Sequence, residues 1–353
     1  MLGRLIHRYK RAIPYLLLLP GLLWLVLFFV VPNVPMFVYS VSEGTLNTGF
    51  TQPPEVWAWW NYPEAVVRFQ ANIANSVVYG SLAVIFCFLI GYPLAYAIAF
   101  RGGRYKNVLL FLVIAPFFTS FLIRTISWKI ILGNNGPFLG VTRDLLHLVP
   151  ANFSVIGTPL AVVAGLTYEF LPFMVLPLYV SLEKVDVRLV EAARDLYAGR
   201  WRPRGTIVGA ALGGLLGAFV VVGLGYAGLV GGDAAPLTVA IGAGIGALIG
   251  AVICHLWVTE AFIRVTFPLS LPGVFAGTIL TLIPATGDYV NAELLGSPKT
   301  QMIGNVIQGR YLDQNDYPTA SALSFILMAA ILVGIAIYAR ALGTDELSGG
   351  AAA

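Results

Sequence analysis

Charge is scarce in this sequence. Asp, Glu, Lys and Arg make up 11% of its 353 residues, against 58% hydrophobic residues and a mean hydropathy of +0.83. That is too little charge to solvate the surface of a globular chain of this length, so a membrane protein is expected. Cysteine is almost absent. Cys87 and Cys254 both fall in apolar stretches, where a thiol behaves as a small hydrophobe, and neither a disulfide framework nor a metal site is indicated. His7, His147 and His255 are scattered without the spacing of metal ligands. No G-x-x-x-x-G-K-[ST] segment occurs, which excludes ATP binding by a phosphate loop. No basic patch with interleaved aromatics is present, so nucleic acid is not an expected partner. The apolar run after MLGRLIHRYKRA is longer than the about 7 to 15 residues of a signal-peptide core, and no small-residue cleavage site follows it. It reads as a retained first span.

What the chain has in abundance is long hydrophobic runs. A helix of about 20 apolar residues crosses a hydrocarbon core of about 30 Å. Such runs extend from Ile13 to Val38, Ile73 to Phe100, Val108 to Leu122, Ile156 to Leu182, Val274 to Leu295 and Thr319 to Tyr338. Two more, Thr206 to Val230 and Pro236 to Val258, are glycine-rich. With the N-terminus in the cytoplasm, fifteen of the 21 Lys and Arg fall inside and six outside. The positive-inside rule selects that orientation and places both termini in the cytoplasm.

Residues 182 to 204 are then cytoplasmic and read as a short amphipathic helix. Leu189, Val190, Ala193 and Leu196 alternate with Arg188, Glu191, Arg194 and Asp195 at helical spacing. The small side chains of Ala192 and Ala193 permit close approach to a partner surface, and Glu191 supplies a charge that fixes register. This is the pattern of a docking helix.

Carboxylates at membrane depth cost about 2.5 to 3.5 kcal/mol on insertion scales and usually face a cavity or a partner. Glu169 falls near the middle of its run, and Asp288 and Glu293 toward the outer end of theirs. No Lys or Arg is expected at the depth of Glu169, which favours a pathway role for it. Glu293 is expected to pair with Arg124, Lys129 or a partner permease, and for Asp288 the pathway and such a pair stand equal. Tyr168, Phe170 and Tyr289 adjoin these acids and offer faces to ammonium and methylene groups. Trp57, Trp59 and Trp60 are expected to anchor an external segment at the membrane interface.

At this point a family resemblance enters. EAARDLYAGRWR (191 to 202) joined to AFIRVTFPLSLPG (261 to 273) resembles the EAA loop of permease subunits of ATP-binding-cassette importers. ANSVVYGSLAVIFCFLIGYPLAYAIAF (74 to 100) is similar to the opening permease-domain helix. APFFTSFLIRTISWKIILGNNG (115 to 136), YEFLPFMVLPLYVSLEKVD (168 to 186), IPATGDYVNAELLG (283 to 296) and MIGNVIQGRYLDQNDYPTASA (302 to 322) resemble the spermidine/putrescine branch. Two departures stand out. Tyr197 occupies the place of a common turn glycine, although Ala198 and Gly199 follow, and residues 203 to 260 interrupt the loop.

The resemblance implies an all-α, polytopic transmembrane helix bundle of six family-like spans, to which residues 203 to 260 add an inserted two-helix hairpin. The segments are an N-terminal helix with an external stretch (1–70), the first part of the permease domain (71–202), the glycine-rich hairpin (203–260) and the remainder of the permease domain (261–353). Glycines at 205, 209, 213 and 217 and at 242, 246 and 250 form small-residue stripes along the hairpin. A hairpin that leaves and re-enters on one side preserves downstream sidedness, and it reads as a tolerated insertion rather than as an accessory element or as a block on docking.

By the same resemblance, the chain imports polyamine cations by alternating access in a bacterial-type inner membrane. Its partners are a second permease subunit, two ATPase subunits that carry ATP and magnesium, and an external solute-binding protein. Glu191, Ala192, Ala193, Asp195 and Gly199 carry the coupling, and Glu169, Tyr168, Asp288 and Tyr289 line the substrate pathway. No catalytic residue, metal or cofactor is expected in this chain. The alternatives are a permease for another small solute, an ATPase-independent secondary transporter or channel, and an integral-membrane enzyme. The second would show broken helices in matching halves, and the third a cluster of reactive groups at one depth. The sequence displays neither.

Overall fold

A computed structural model describes residues 13–45, 48–141, 154–196 and 262–342, with isolated positions between 214 and 248. Its described residues fall into two compact units, those of Met1–Gln70 with Val306–Ala330 and those of Ala71–Asn305 with Ile331–Ala353. Among the described residues five helices are long and apolar enough to cross a membrane, or six when one bent pair is included.

In the first unit, helix α1 runs through Ile13–Leu25, a π turn at Val26–Val30, and Val31–Ser40. Its most apolar stretch has no buried residue among those described, and only its end is covered, where Phe37 meets Trp59 and Phe325. Polar side chains also fasten that end. Asn61 Nδ2 donates to the carbonyls of Ser40 and Ser42 at 3.1 and 2.8 Å, and the Ser40 hydroxyl lies 2.8 Å from that of Tyr62. A small antiparallel hairpin, β1 (Glu43–Thr45) with β2 (Gly49–Thr51), pairs Gly44 with Phe50, and helix α2 covers Asn61–Arg68. Phe50 stacks on Tyr317, and an Arg310–Asp316 ion pair at 3.1 Å ties the loop beside it. Trp57, Trp59 and Trp60 are each about half exposed, as interface anchors would be.

The second unit holds the packed core. Helix α3 (Gln70–Arg101) contributes Ala83, Cys87, Ala95 and Ile98 to it. Helix α4 (Lys106–Ile114) passes through a 3-10 turn at Ala115–Phe118 into α5 (Phe121–Leu132), with a bend of 92°. The run Val108 to Leu122, expected as one span, is therefore broken. The physical cause is local: Pro116 brings no N–H to the ladder, and Thr119 and Ser120 adopt extended backbone. Helix α6 (Pro159–Glu183) starts where the Thr158 hydroxyl accepts from Ala161 N at 3.3 Å, with Pro159 in the favoured first position.

After α6 come the short helix α7 (Val187–Leu196), a π turn at Phe262–Thr266, and α8 (Phe267–Gly287). The run Val274 to Leu295 was expected as one span too. It ends at Gly287 because Asp288 turns extended, and α9 (Val290–Leu295) begins afresh. Helix α10 (Ile303–Gln308) and the long α11 (Tyr317–Leu342) complete the chain. Within the second unit, Tyr338 of α11 stacks on Phe275 with ring planes 7° apart.

The α6–α8 contact is the tightest of the core. A Cβ placed on Gly273 would lie 2.5 Å from Ser181 Cβ and 2.6 Å from the Pro177 carbonyl, and one on Gly277 would lie 3.1 Å from the Met174 carbonyl. Two glycines four residues apart let the helix backbones approach, which is how helices associate in lipid without a hydrophobic driving force.

Candidate functional site

Two groups of predicted residues occupy different parts of the second unit. The first is the amphipathic helix. Asp186 Oδ1 accepts from Arg188 N at 2.9 Å and starts α7 immediately beyond the end of α6. Val190 and Ala193 are buried, whereas Glu191, Ala192 and Asp195 are exposed, together with Val187, Leu189 and Leu196. The helix thus presents a mixed apolar and acidic face with no cover among the described residues. Its inner side packs on the turn Phe262–Thr266, so the two sequence pieces on either side of the interruption do meet. A cleft of about 550 Å³ lies beside it, lined by Val180, Lys184, Leu189, Leu269 and Pro272.

Gly199, Tyr197 and nearly all of 203–260 lie outside the described residues. Within that segment, a Cβ on Gly214 would sit 3.4 Å from Ala247 Cβ.

The second group surrounds Glu169. This carboxylate is 1% exposed and lies 2.9 Å from Nη2 of Arg124, itself 9% exposed. The expectation that no cation shares its depth is overturned. The kink at Thr119–Ser120 redirects α5 so that Arg124, expected at the outer boundary, reaches the middle of α6 instead. The guanidinium also lies over the Phe117 ring, 4.8 Å from its centroid. The pair meets electrostatically but leaves capacity unused: both Glu169 oxygens, and Nε and Nη1 of Arg124, lack an aligned hydrogen bond among the described residues, and the Thr125 hydroxyl beside the carboxylate donates to the Phe121 carbonyl at 3.2 Å. Tyr168 is half-buried, its ring edge-on to Trp128 at 5.4 Å.

Asp288 is buried and heavily engaged. Its Oδ1 accepts from the backbone N–H groups of Val290 and Asn291 at 2.7 and 3.1 Å, and Oδ2 accepts from Asn291 Nδ2 at 2.7 Å. It caps α9 in the manner of an Asp at a helix start. Tyr289 is 43% exposed. Glu293, expected to pair with Arg124, Lys129 or a partner permease, meets neither of those two cations among the described residues and accepts from Asn305 Nδ2 at 3.1 Å, a group shared with the Tyr289 carbonyl at 2.9 Å.

Sequence reasoning misassigned one residue and passed over two. Arg124, expected beside Glu293 or Asp288, carries the counter-charge of Glu169. Lys106, at the start of α4, bonds Glu183 Oε1 at the end of α6 at 2.6 Å. Asn291, fully buried, keeps its Oδ1 without a partner among the described residues. A lone Arg inside the apolar FLIRTISW was the available signal for the first, and nothing local marked the others. Among the described residues no group of three or more His, Cys, Asp or Glu side chains is arranged to hold a metal ion.

Long apolar helices, one of them sharply broken, a buried ion pair between two of them and an amphipathic helix left uncovered define an integral-membrane protein with a surface for a partner. Comparison with known proteins narrows the class. The spermidine/putrescine transport system permease protein PotB of Haemophilus influenzae is 31% identical over 319 residues, 90% of this chain and 90% of that protein. The protein of the same description from Escherichia coli is 30% identical over 319 residues, covering 90% and 94%. The chain therefore belongs to the PotB family of ABC-importer permeases; it moves solute and carries no ATP-hydrolysing site of its own.

No family model matches the chain. Among solved structures, a chain of a bacterial ABC transporter involved in the import of the acidic polysaccharide alginate aligns at a TM-score of 0.61 with 14% identity, covering 96% of this chain and 98% of that one. A chain of that transporter in complex with an alginate pentasaccharide-bound periplasmic protein aligns equally, at 16% identity. These two likenesses concern the fold alone.

Proposed function

We propose that this chain carries polyamine cations of the spermidine and putrescine type across a bacterial inner membrane, with its termini in the cytoplasm. The observation that carries the reading is the likeness to the PotB permeases over nine tenths of both chains. In this reading an external solute-binding protein delivers the cation and a second permease subunit completes the pathway. Two ATPase subunits then drive alternating access. Glu191, Ala192, Ala193, Asp195 and Gly199 form the handle on which the ATPase acts. The exposed acidic and apolar face of α7 supports that assignment, since a helix of this composition needs a partner to cover it.

Glu169, Tyr168, Asp288 and Tyr289 belong to the pathway in this reading. Glu169 supplies the buried negative charge a polycation needs, and Tyr168 and Tyr289 offer ring faces. Asp288 acts through its capping of α9, which fixes the position of Tyr289. ATP and magnesium are held by the ATPase subunits. The test is reconstitution of the chain in liposomes with its neighbouring ATPase, permease and binding protein. ATP-dependent uptake of radiolabelled spermidine, lost on omission of the ATPase, is expected. Uptake of a neutral solute in its place, or uptake that needs no ATPase, would refute the proposal.

A further inference from the structure

Helices α5, α6 and α9 converge around Glu169, and each brings a buried polar side chain with unused capacity. Arg124 comes from α5, Glu169 from α6 and Asn291 from α9. A Cβ on Gly165 would lie 2.7 Å from Asn291 Oδ1, and Gly165 precedes Glu169 by one helical turn on the same face. The amide oxygen of Asn291 and the carboxylate of Glu169 are thus stacked one turn apart along α6. The Asn291 amide is oriented by its bond to Asp288 Oδ2, so that Oδ1 is the atom left over. Buried acceptors without donors are costly, and they are retained where a ligand supplies the missing donor.

We infer that Glu169 and Asn291 form a binding site for a substrate ammonium group, and that Arg124 is the exchangeable cation filling it when substrate is absent. The inference rests on the polyamine reading above. An alkylammonium brings N–H donors in several directions, enough for both a carboxylate oxygen and the Asn291 amide oxygen. The Arg124 guanidinium meets Glu169 without an aligned hydrogen bond, so it neutralises the charge but leaves those acceptors unsatisfied. Once displaced it has a resting place over the Phe117 ring, where it already lies 4.8 Å from the centroid. Because Arg124 rides on α5 beyond the 92° bend, exchange at Glu169 also breaks the ion pair between α5 and α6. Binding of the cation and loss of that tie are one event.

The experiment is equilibrium binding of radiolabelled spermidine to the purified complex in detergent, without binding protein or nucleotide. Wild type is expected to bind weakly, since Arg124 competes. Arg124→Gln is expected to bind at least about tenfold more tightly, because it leaves a buried carboxylate without its cation. Glu169→Gln and the double variant R124Q/E169Q are expected to lose the binding. Should R124Q fail to assemble, Arg124→Lys replaces it, with a smaller gain of the same sign. A pair that only holds the helices together would weaken assembly in both single variants and create no binding in either. R124Q or R124K no tighter than wild type, or R124Q/E169Q as tight as R124Q, overturns the inference. Failure of the polyamine reading shows separately: the wild-type complex with its binding protein would import no spermidine, and this inference would fall with it.

Discussion

Gly273 is a position where one added methyl group should be felt by two packed helices at once. Its Cβ would sit 2.5 Å from Ser181 Cβ and 2.6 Å from the Pro177 carbonyl oxygen, with the Leu178 Cα at 3.1 Å. Two of those three atoms are backbone, so no side chain can swing aside to relieve them. Restoring ordinary contact requires α6 and α8 to part by about 1 Å along their closest line, and overpacking of this kind costs about 1–3 kcal/mol. Alanine in place of glycine also gains about 1 kcal/mol of helix propensity, so a control must carry the same gain without the clash. Gly334, in α11, is that control: a Cβ there meets no described atom within 4 Å.

The comparison of Gly273→Ala with Gly334→Ala therefore isolates the packing contribution. G273A is expected to be less stable than G334A by about 1–3 kcal/mol, read as a melting temperature lower by several degrees in detergent. ATP-driven uptake should fall in the same variant, because Ser181 and Pro177 lie at the end of α6 that leads into α7. Equal melting of the two variants, or a higher temperature for G273A, would refute the close approach of these helices.

Other expectations follow from single contacts. Glu191→Lys should reduce ATP-dependent uptake at least about tenfold while leaving the amount of assembled permease unchanged, because an exposed charge on α7 contributes to docking rather than to the fold; membrane quantification beside uptake checks it. Asp288→Ala removes the cap of α9 and should destabilise the chain by about 0.5–2 kcal/mol, measured as thermal aggregation in detergent. Ser76 Oγ, 1% exposed, accepts from Ile303 N at 2.8 Å; Ser76→Ala orphans that buried N–H and should cost about 1–3 kcal/mol in the same assay.

The apolar helices were legible in the sequence because the bilayer demands long uncharged runs, and α3, α6 and α11 follow theirs to within a few residues. Helix α7 was legible because its period of apolar and charged residues is a property of the segment alone. The break between α4 and α5 was not, since hydropathy runs unchanged through APFFTSF and only the backbone at Thr119 and Ser120 departs from helix. That missed break caused the larger misreading. With α5 taken as the end of a straight span, Arg124 stood at the boundary, and its pairing with Glu169, 45 positions away, could not be anticipated. Asn305 illustrates the same limit: its amide serves Tyr289 and Glu293 at once, a convergence that exists only after α9 and α10 have packed.

Helix α6 is fastened to the broken element at two places, Glu183 to Lys106 of α4 and Glu169 to Arg124 of α5. The separation of fourteen positions between the two acids corresponds to about 21 Å of rise, and at about 100° per residue it returns to within about 40° of the same azimuth. A twist of α6 about its own axis would carry both fasteners sideways together, and a rocking motion would drive them in opposite directions. The crank and the rocker thus leave different signatures in any pair of distance probes placed on α4 and α5.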